Sequence, residues 1–136
     1  MIRPIVKDEL LLRKPSEIAT QHDLMVAKDL LDTFKAHADE CAGMAANMIG
    51  IRKRIIIFDD GGKATIMLNP EIIGTFGEYE TREGCLSLEG QRMAVRYRRV
   101  RVRYQDLKMT ERTKSYSGFT AQVVQHEIDH CDGIVI

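Results

Sequence analysis

The 136-residue sequence carries no net charge, because 20 basic and 20 acidic residues cancel. No overall field therefore gathers nucleic acid or an anionic membrane. No apolar run approaches the roughly 20 residues that span a bilayer. The opening stretch, Met1 to Glu9, has neither an uninterrupted apolar core nor a cleavage signature. These absences lead to the expectation of a cytoplasmic chain without membrane contact. Cysteine is scarce and odd in number, at Cys41, Cys85 and Cys131, which makes a poor disulfide framework but leaves thiolates available as ligands in a reducing compartment. Internal repeats and low-complexity tracts are also missing. At 44% hydrophobic and 29% charged, the composition is that of an ordinary globular chain. One domain over residues 1–136 is long enough to fold without a structural metal, so any metal here would be catalytic.

Local patterns then fill in the chain. Thr20 is an N-cap candidate, with Asp23 near the positive end of a helix dipole. Leu24, Ala27, Leu31 and Phe34 recur at helical spacing, so the pattern predicts a one-faced helix from Asp23 to about Ala38. His22 and His37 fall at its ends as solvated residues. Glu40 to Gly50 is a run of small residues with no period and reads as a tightly packed loop that a ligand or another strand can approach closely. Arg54 to Phe58 and Ala64 to Leu68, separated by Asp59-Asp60-Gly61-Gly62, predict two antiparallel strands. Asn69-Pro70 marks a turn, and Glu71 to Thr81 reads as irregular and extended because Gly74 and Gly77 interrupt it. A strand follows from about Arg92 to Asp106, where Val100, Val102 and Tyr104 alternate with Arg99, Arg101 and Arg103. The arginine row has no interleaved aromatics, so it reads as a solvated face protected against edge pairing, not as a phosphate track. Lys108 to Ser117 holds a turn and a short strand, and Ser117 is the candidate cap of a final helix.

That helix carries the chemistry. Within Gly118 to His130, His126 and His130 lie one turn apart on the same side with Glu127 beside them. This is the H-E-x-x-H arrangement, in which two imidazoles bind one metal ion and a carboxylate handles the proton of an attacking water. Phe119, Gln122 and Val123 share the histidine side, while Ala121, Val124 and Ile128 face another way. A helix apolar on two sides is buried, and buried imidazoles need partners or a metal. A catalytic site needs a third protein ligand. Cys131 points about 100° away from His130, which leaves Cys85 or Cys41.

Three separated segments, Ala42-Gly43-Met44-Ala45-Ala46, Glu83-Gly84-Cys85-Leu86-Ser87 and Gln125-His126-Glu127-Ile128-Asp129-His130, resemble in order and spacing the three signature motifs of the peptide deformylases. The resemblance covers nearly the whole chain. It implies an α+β fold in which antiparallel sheets surround a central C-terminal helix bearing the metal ligands, with an N-terminal helix packed outside. It also implies a metallohydrolase that removes the N-formyl group from N-formylmethionyl peptides and releases formate. Cys85, His126 and His130 would bind one divalent metal, natively Fe2+ and often replaced by Zn2+ or Ni2+, and Glu127 would move the proton from water to the departing amine. The backbone N–H of Leu86 would hold the oxyanion. Ala42, Gly43, Glu83 and Gly84 would pair with the extended peptide. Phe119, Val123 and the base of the helix would line the methionine pocket, with Arg92 nearby, and Asp129 would pair with Arg96.

The chain departs from the family pattern G-x-G-L-A-A-x-Q at three positions, Cys41, Met44 and Met48. Met48 stands where a glutamine amide would donate to the formyl oxygen, and a thioether cannot donate. Losing one such donor typically lowers a rate by about 10²–10³, so an impaired metal- or peptide-binding paralogue is the alternative. Gln122 replaces an apolar pocket residue, and would either supply an amide from the opposite wall or favour a more polar first residue. Only six residues follow His130, so a ribosome contact through a further helix is not expected. The same shortness weakens a zinc-protease reading, which needs a downstream ligand. A nucleic-acid binder built on the arginine strand is the remaining rival.

Overall fold

The computed structural model describes residues 1–135. A single helical turn, α1 (Glu9–Leu12), precedes the longer α2 (Leu24–Ala36), and the chain then runs β1 (Gly43–Ala45), β2 (Ile55–Asp60), β3 (Lys63–Cys85), β4 (Leu88–Gln105), β5 (Glu111–Ser117) and α3 (Gly118–Cys131). The strands join in one antiparallel five-stranded sheet in sequence order. The α+β class and the C-terminal helix are as expected.

Why the first four positions of β2, Ile55 to Phe58, are all apolar follows from their place in that sheet. Ile55 and Ile57 pack with Leu12, Ala27, Leu30 and Phe34 on the α2 side. Ile56 and Phe58 pack with Val124, Ile128 and Cys131 on the α3 side. A strand covered on both faces has no polar face to show. The β2–β3 turn is Gly61-Gly62, with φ of 61° and 93°, the left-handed pair that a tight hairpin turn requires.

Thr20 caps a short 3-10 turn, Gln21–Asp23, that leads into α2, while the N-cap position of α2 itself is Asp23. The Thr20 hydroxyl accepts from the His22 N–H at 3.2 Å while Asp23 accepts from the Thr20 N–H at 2.8 Å, and α2 ends at Ala36, two residues early. The small-residue run is not a loop throughout, since Gly43–Ala45 pair with Ile56, Ile57 and Phe58, and Ala46–Ile49 form a buried 3-10 turn.

Asn69-Pro70 does not turn the chain. β3 runs through it with a register shift between Leu68 and Glu71, because a bulge accommodates a proline that cannot donate to the ladder. Asn69, at φ 52°, bonds the Ala19 N–H and C=O at 2.7 and 2.9 Å. A second shift at Ile72/Gly74 keeps the interrupted segment in the sheet.

The arginine row also needs a different explanation from edge protection. β4 lies between β3 and β5, and β5 is the edge. The row is an exposed face over the buried Val100 and Val102, with Arg103 paired to Glu71 at 2.9 Å. Ser117 makes no capping bond. It is still in the ladder opposite Arg99, and the chain turns into α3 at Gly118, φ 62°. Among the described residues no helix is long and apolar enough to cross a membrane.

Candidate active site

α3 is buried along most of its length, and its contacts with β1, β2 and β4 set where its polar side chains point. The His126 and His130 rings lie 5.0 Å apart, one turn from each other. Cys85 closes β3 at the base of the tight Leu86-Ser87 turn, where a register shift against β4 displaces it. Its Sγ reaches 3.3 Å from His130 Nε2. One ligand atom from each of Cys85, His126 and His130 falls within 4.8 Å of the others. Of the three cysteines, Cys131 is buried in the core, and Cys41 lines the same cleft but turns its thiol to the His37 carbonyl at 3.5 Å.

The donor set fits a first-row divalent cation, since one thiolate and two imidazoles suit such metals and three protein ligands leave a position open. The histidine geometry fits as well. His126 Nδ1 stands 2.8 Å from the Glu83 carboxylate, which only accepts, so Nδ1 carries the proton and Nε2 keeps its lone pair. His130 turns Nε2 towards Cys85. Without a cation the two rings would share out charge unequally. Burial opposes charge on His126, yet hydrogen bonding with Cys85 and Glu83 pushes it up to about 10. Burial and then the neighbouring His126 hold His130 down to about 3.

Glu83 was expected to contribute backbone to a peptide, but its side chain has a role that the sequence did not reveal. Oε1 accepts from His126 Nδ1 at 2.8 Å and from Arg96 Nη2 at 2.7 Å, while Oε2 accepts from Arg96 Nε and Gln122 Nε2, each at 2.9 Å. Burial disfavours this carboxylate's charge, but the bonds from His126, Arg96 and Gln122 outweigh it and hold it at about 2. Arg96 reaches on to Asp129 at 2.7 Å, the pairing expected from the sequence. Asn47 also went unnoticed, although its amide donates to the His130 carbonyl at 3.0 Å and so ties the 3-10 turn to α3.

A cleft of about 590 Å³ opens beside these ligands. Ala42, Gly43, Gly84, Leu86, Phe119 and Val123 line it, together with Glu127, His126 and Cys85. β1 is the edge strand, hydrogen-bonded on one side only, so Gly43 borders the cleft with an unpaired edge. Glu127 is buried, with Oε1 lacking any partner among the described residues. Burial pushes its carboxyl up to about 7, which suits a group that takes and returns a proton near neutrality.

Three of the expected residues have contacts that the sequence did not give. Arg92 does not line the cleft, and its guanidinium turns instead to Glu9 at 3.9 Å. Gln122 is on the cleft wall, and one of the two N–H groups of its amide is committed to Glu83. Met48 lines the cleft while almost wholly buried. Its Sδ accepts from the Ala45 N–H at 3.4 Å.

The model of the polypeptide deformylase family matches residues 2–136. The chain is 48% identical over 136 residues, all of both chains, to the peptide deformylase of Clostridium beijerinckii. It is 40% identical over 133 residues to that of Desulforudis audaxviator, covering 94% of this chain and 85% of the other. Its fold matches the crystal structure of a peptide deformylase from Legionella pneumophila with a TM-score of 0.88 at 31% identity, covering 99% of this chain and 83% of that one. A class I type b peptide deformylase from Acinetobacter baumannii with Met-Ala-Ser bound matches with a TM-score of 0.89 at 27% identity, covering 99% and 97%.

Proposed function

The chain belongs to the polypeptide deformylase family, and from its standing as a metal-dependent deformylase we propose that residues 1–136 form one catalytic domain acting on N-formylmethionyl peptides in the cytoplasm. The observation that carries this reading is the convergence of Cys85, His126 and His130 within 4.8 Å, beside a cleft that also holds the buried Glu127.

Cys85, His126 and His130 would hold the cation, Fe2+ by preference with Zn2+ or Ni2+ as substitutes. When bound, such a cation acidifies water and polarises a carbonyl oxygen. The protein's own groups do the rest. The unpaired edge at Gly43 and the backbone at Gly84 bind the peptide extended between them. Phe119 and Val123 form an apolar wall for the methionine side chain. Glu127 takes the proton of the water whose oxygen bonds to the formyl carbon. As the carbon–nitrogen bond breaks, Glu127 gives the proton to the departing amine, leaving formate and a free N-terminus. The Leu86 N–H donates to the oxyanion. The Glu83 carboxylate fixes the His126 ring and proton. The Met-Ala-Ser bound to the Acinetobacter enzyme has methionine as its first residue, which supports this substrate class.

A second reading is favoured by Met48. With a thioether where a donor is expected, the oxyanion has one backbone N–H where two donors are usual, and a catalytically impaired metal- or peptide-binding paralogue results. Formate release from a formyl-methionyl tripeptide, with ferrous protein under anaerobic conditions, separates the two. Turnover is expected, whereas no turnover with the metal fully bound supports the paralogue.

A further inference from the structure

Gln122 occupies the wall where Phe119 and Val123 also stand, and the direction of its amide is fixed. The Glu83 carboxylate beside it is ion-paired to Arg96 and takes a hydrogen bond from His126, so it only accepts. An amide oxygen at 2.9 Å from Glu83 Oε2 would set two acceptors against each other, so the atom there is the amide nitrogen. Nε2 spends one of its two N–H groups on Glu83, and Oε1 is the acceptor that Gln122 offers to whatever fills the cleft. It has no donor among the described residues and is not sealed from solvent.

We propose that Gln122 Oε1 gives the first-residue pocket a hydrogen-bond acceptor, so that the pocket selects side chains carrying a donor, a primary amide in particular, alongside methionine. This rests on the deformylase reading above. A half-buried acceptor left without a donor is unfavourable, so a site built around one discriminates against ligands that cannot satisfy it. Methionine brings no donor, and it keeps its place through the apolar area of Phe119 and Val123. A glutamine side chain has similar length and presents N–H groups at its end. A glutamate γ-methyl ester is larger by one methyl group and presents none, so the hydrogen bond is read from how the amide-to-ester ratio changes when Gln122 is replaced.

The test compares kcat/KM for formyl-Gln-Ala-Ser and formyl-Glu(γ-methyl ester)-Ala-Ser, using wild type, Gln122→Ile and Gln122→Met. Each ratio is internal to one protein, so a partial loss of folded enzyme cancels. The wild-type ratio is expected to exceed that of both variants by about three- to tenfold. Equal ratios in wild type and variants overturn the proposal. Binding of the deformylated tripeptides Gln-Ala-Ser and its γ-methyl ester counterpart to the metal-loaded protein gives a second readout. Preference for the amide in wild type alone supports the acceptor, and no preference overturns it. Failure to hydrolyse formyl-Met-Ala-Ser would overturn the functional reading, while the binding comparison would still decide the pocket.

Discussion

The carboxylate of Glu127 lies directly against the backbone of Gly43. A Cβ at residue 43 would stand 3.0 Å from Glu127 Oε2 and Cγ and 2.8 Å from Val123 Cγ1, closer than packed side chains approach. Gly43 is thus what lets the edge strand and the buried carboxylate share one wall of the cleft. Gly43→Ala is expected to destabilise the protein by about 1–3 kcal/mol through overpacking. It should also lower turnover further than the lost stability explains, because Glu127 must move. Denaturant unfolding alongside kcat on a formyl-methionyl tripeptide checks both.

Glu127 makes stability depend on pH in a definite direction. Its folded value of about 7 lies above the ordinary 4.5. Between those limits the folded protein holds a proton that the unfolded chain releases, so stability falls as pH rises through that window and the full penalty is present above it. In metal-free protein, Glu127→Gln is therefore expected to be more stable than wild type above pH 7, by up to about 3 kcal/mol. No such gain is expected below about pH 4.5. Urea midpoints at those two pH values suffice, and a gain of equal size at both would exclude burial of the charge as its source.

Arg96 and Glu83 are both buried and joined at 2.7 Å. Arg96→Met strands the Glu83 carboxylate without its counter-charge, for which a loss of about 3–5 kcal/mol is expected. The same change loosens the group that orients His126, so metal affinity should fall by about 10- to 100-fold. Metal competition with a chelator measures the second effect. Arg96→Lys should restore little of it, since an ammonium cannot reproduce the two parallel bonds.

Met48→Gln places an amide where the thioether now accepts from the Ala45 N–H. If the missing donor limits the rate, kcat on a formyl-methionyl tripeptide should rise by as much as 10²–10³, the usual worth of about one oxyanion donor. An unchanged kcat would mean that other donors already hold the oxyanion.

The sequence disclosed what depends on short spacing and hid what depends on long-range contacts. His126 and His130 are i and i+4 on one helix, and the Thr20 cap and the apolar β2 are equally local. Glu83 could not be read as the support of His126, because its partners come from 13, 39 and 43 residues away. β1 was hidden for the same reason, as its small residues become a strand only by pairing with Ile56, Ile57 and Phe58. At Asn69-Pro70 the turn signal was sound locally and was overridden by a bulge in a long β3–β4 ladder. Arg92 was carried over by resemblance alone, and nothing in its own neighbourhood pointed to Glu9.

The most direct test loads wild type and Glu127→Gln with ferrous ion under anaerobic conditions, and measures bound metal together with formate released from formyl-Met-Ala-Ser. Both proteins are expected to hold the metal through Cys85, His126 and His130, with wild type turning over and the variant slower by at least about 10². A variant that holds its metal and releases formate at the wild-type rate would contradict the role of Glu127, and with it the mechanism built on this site.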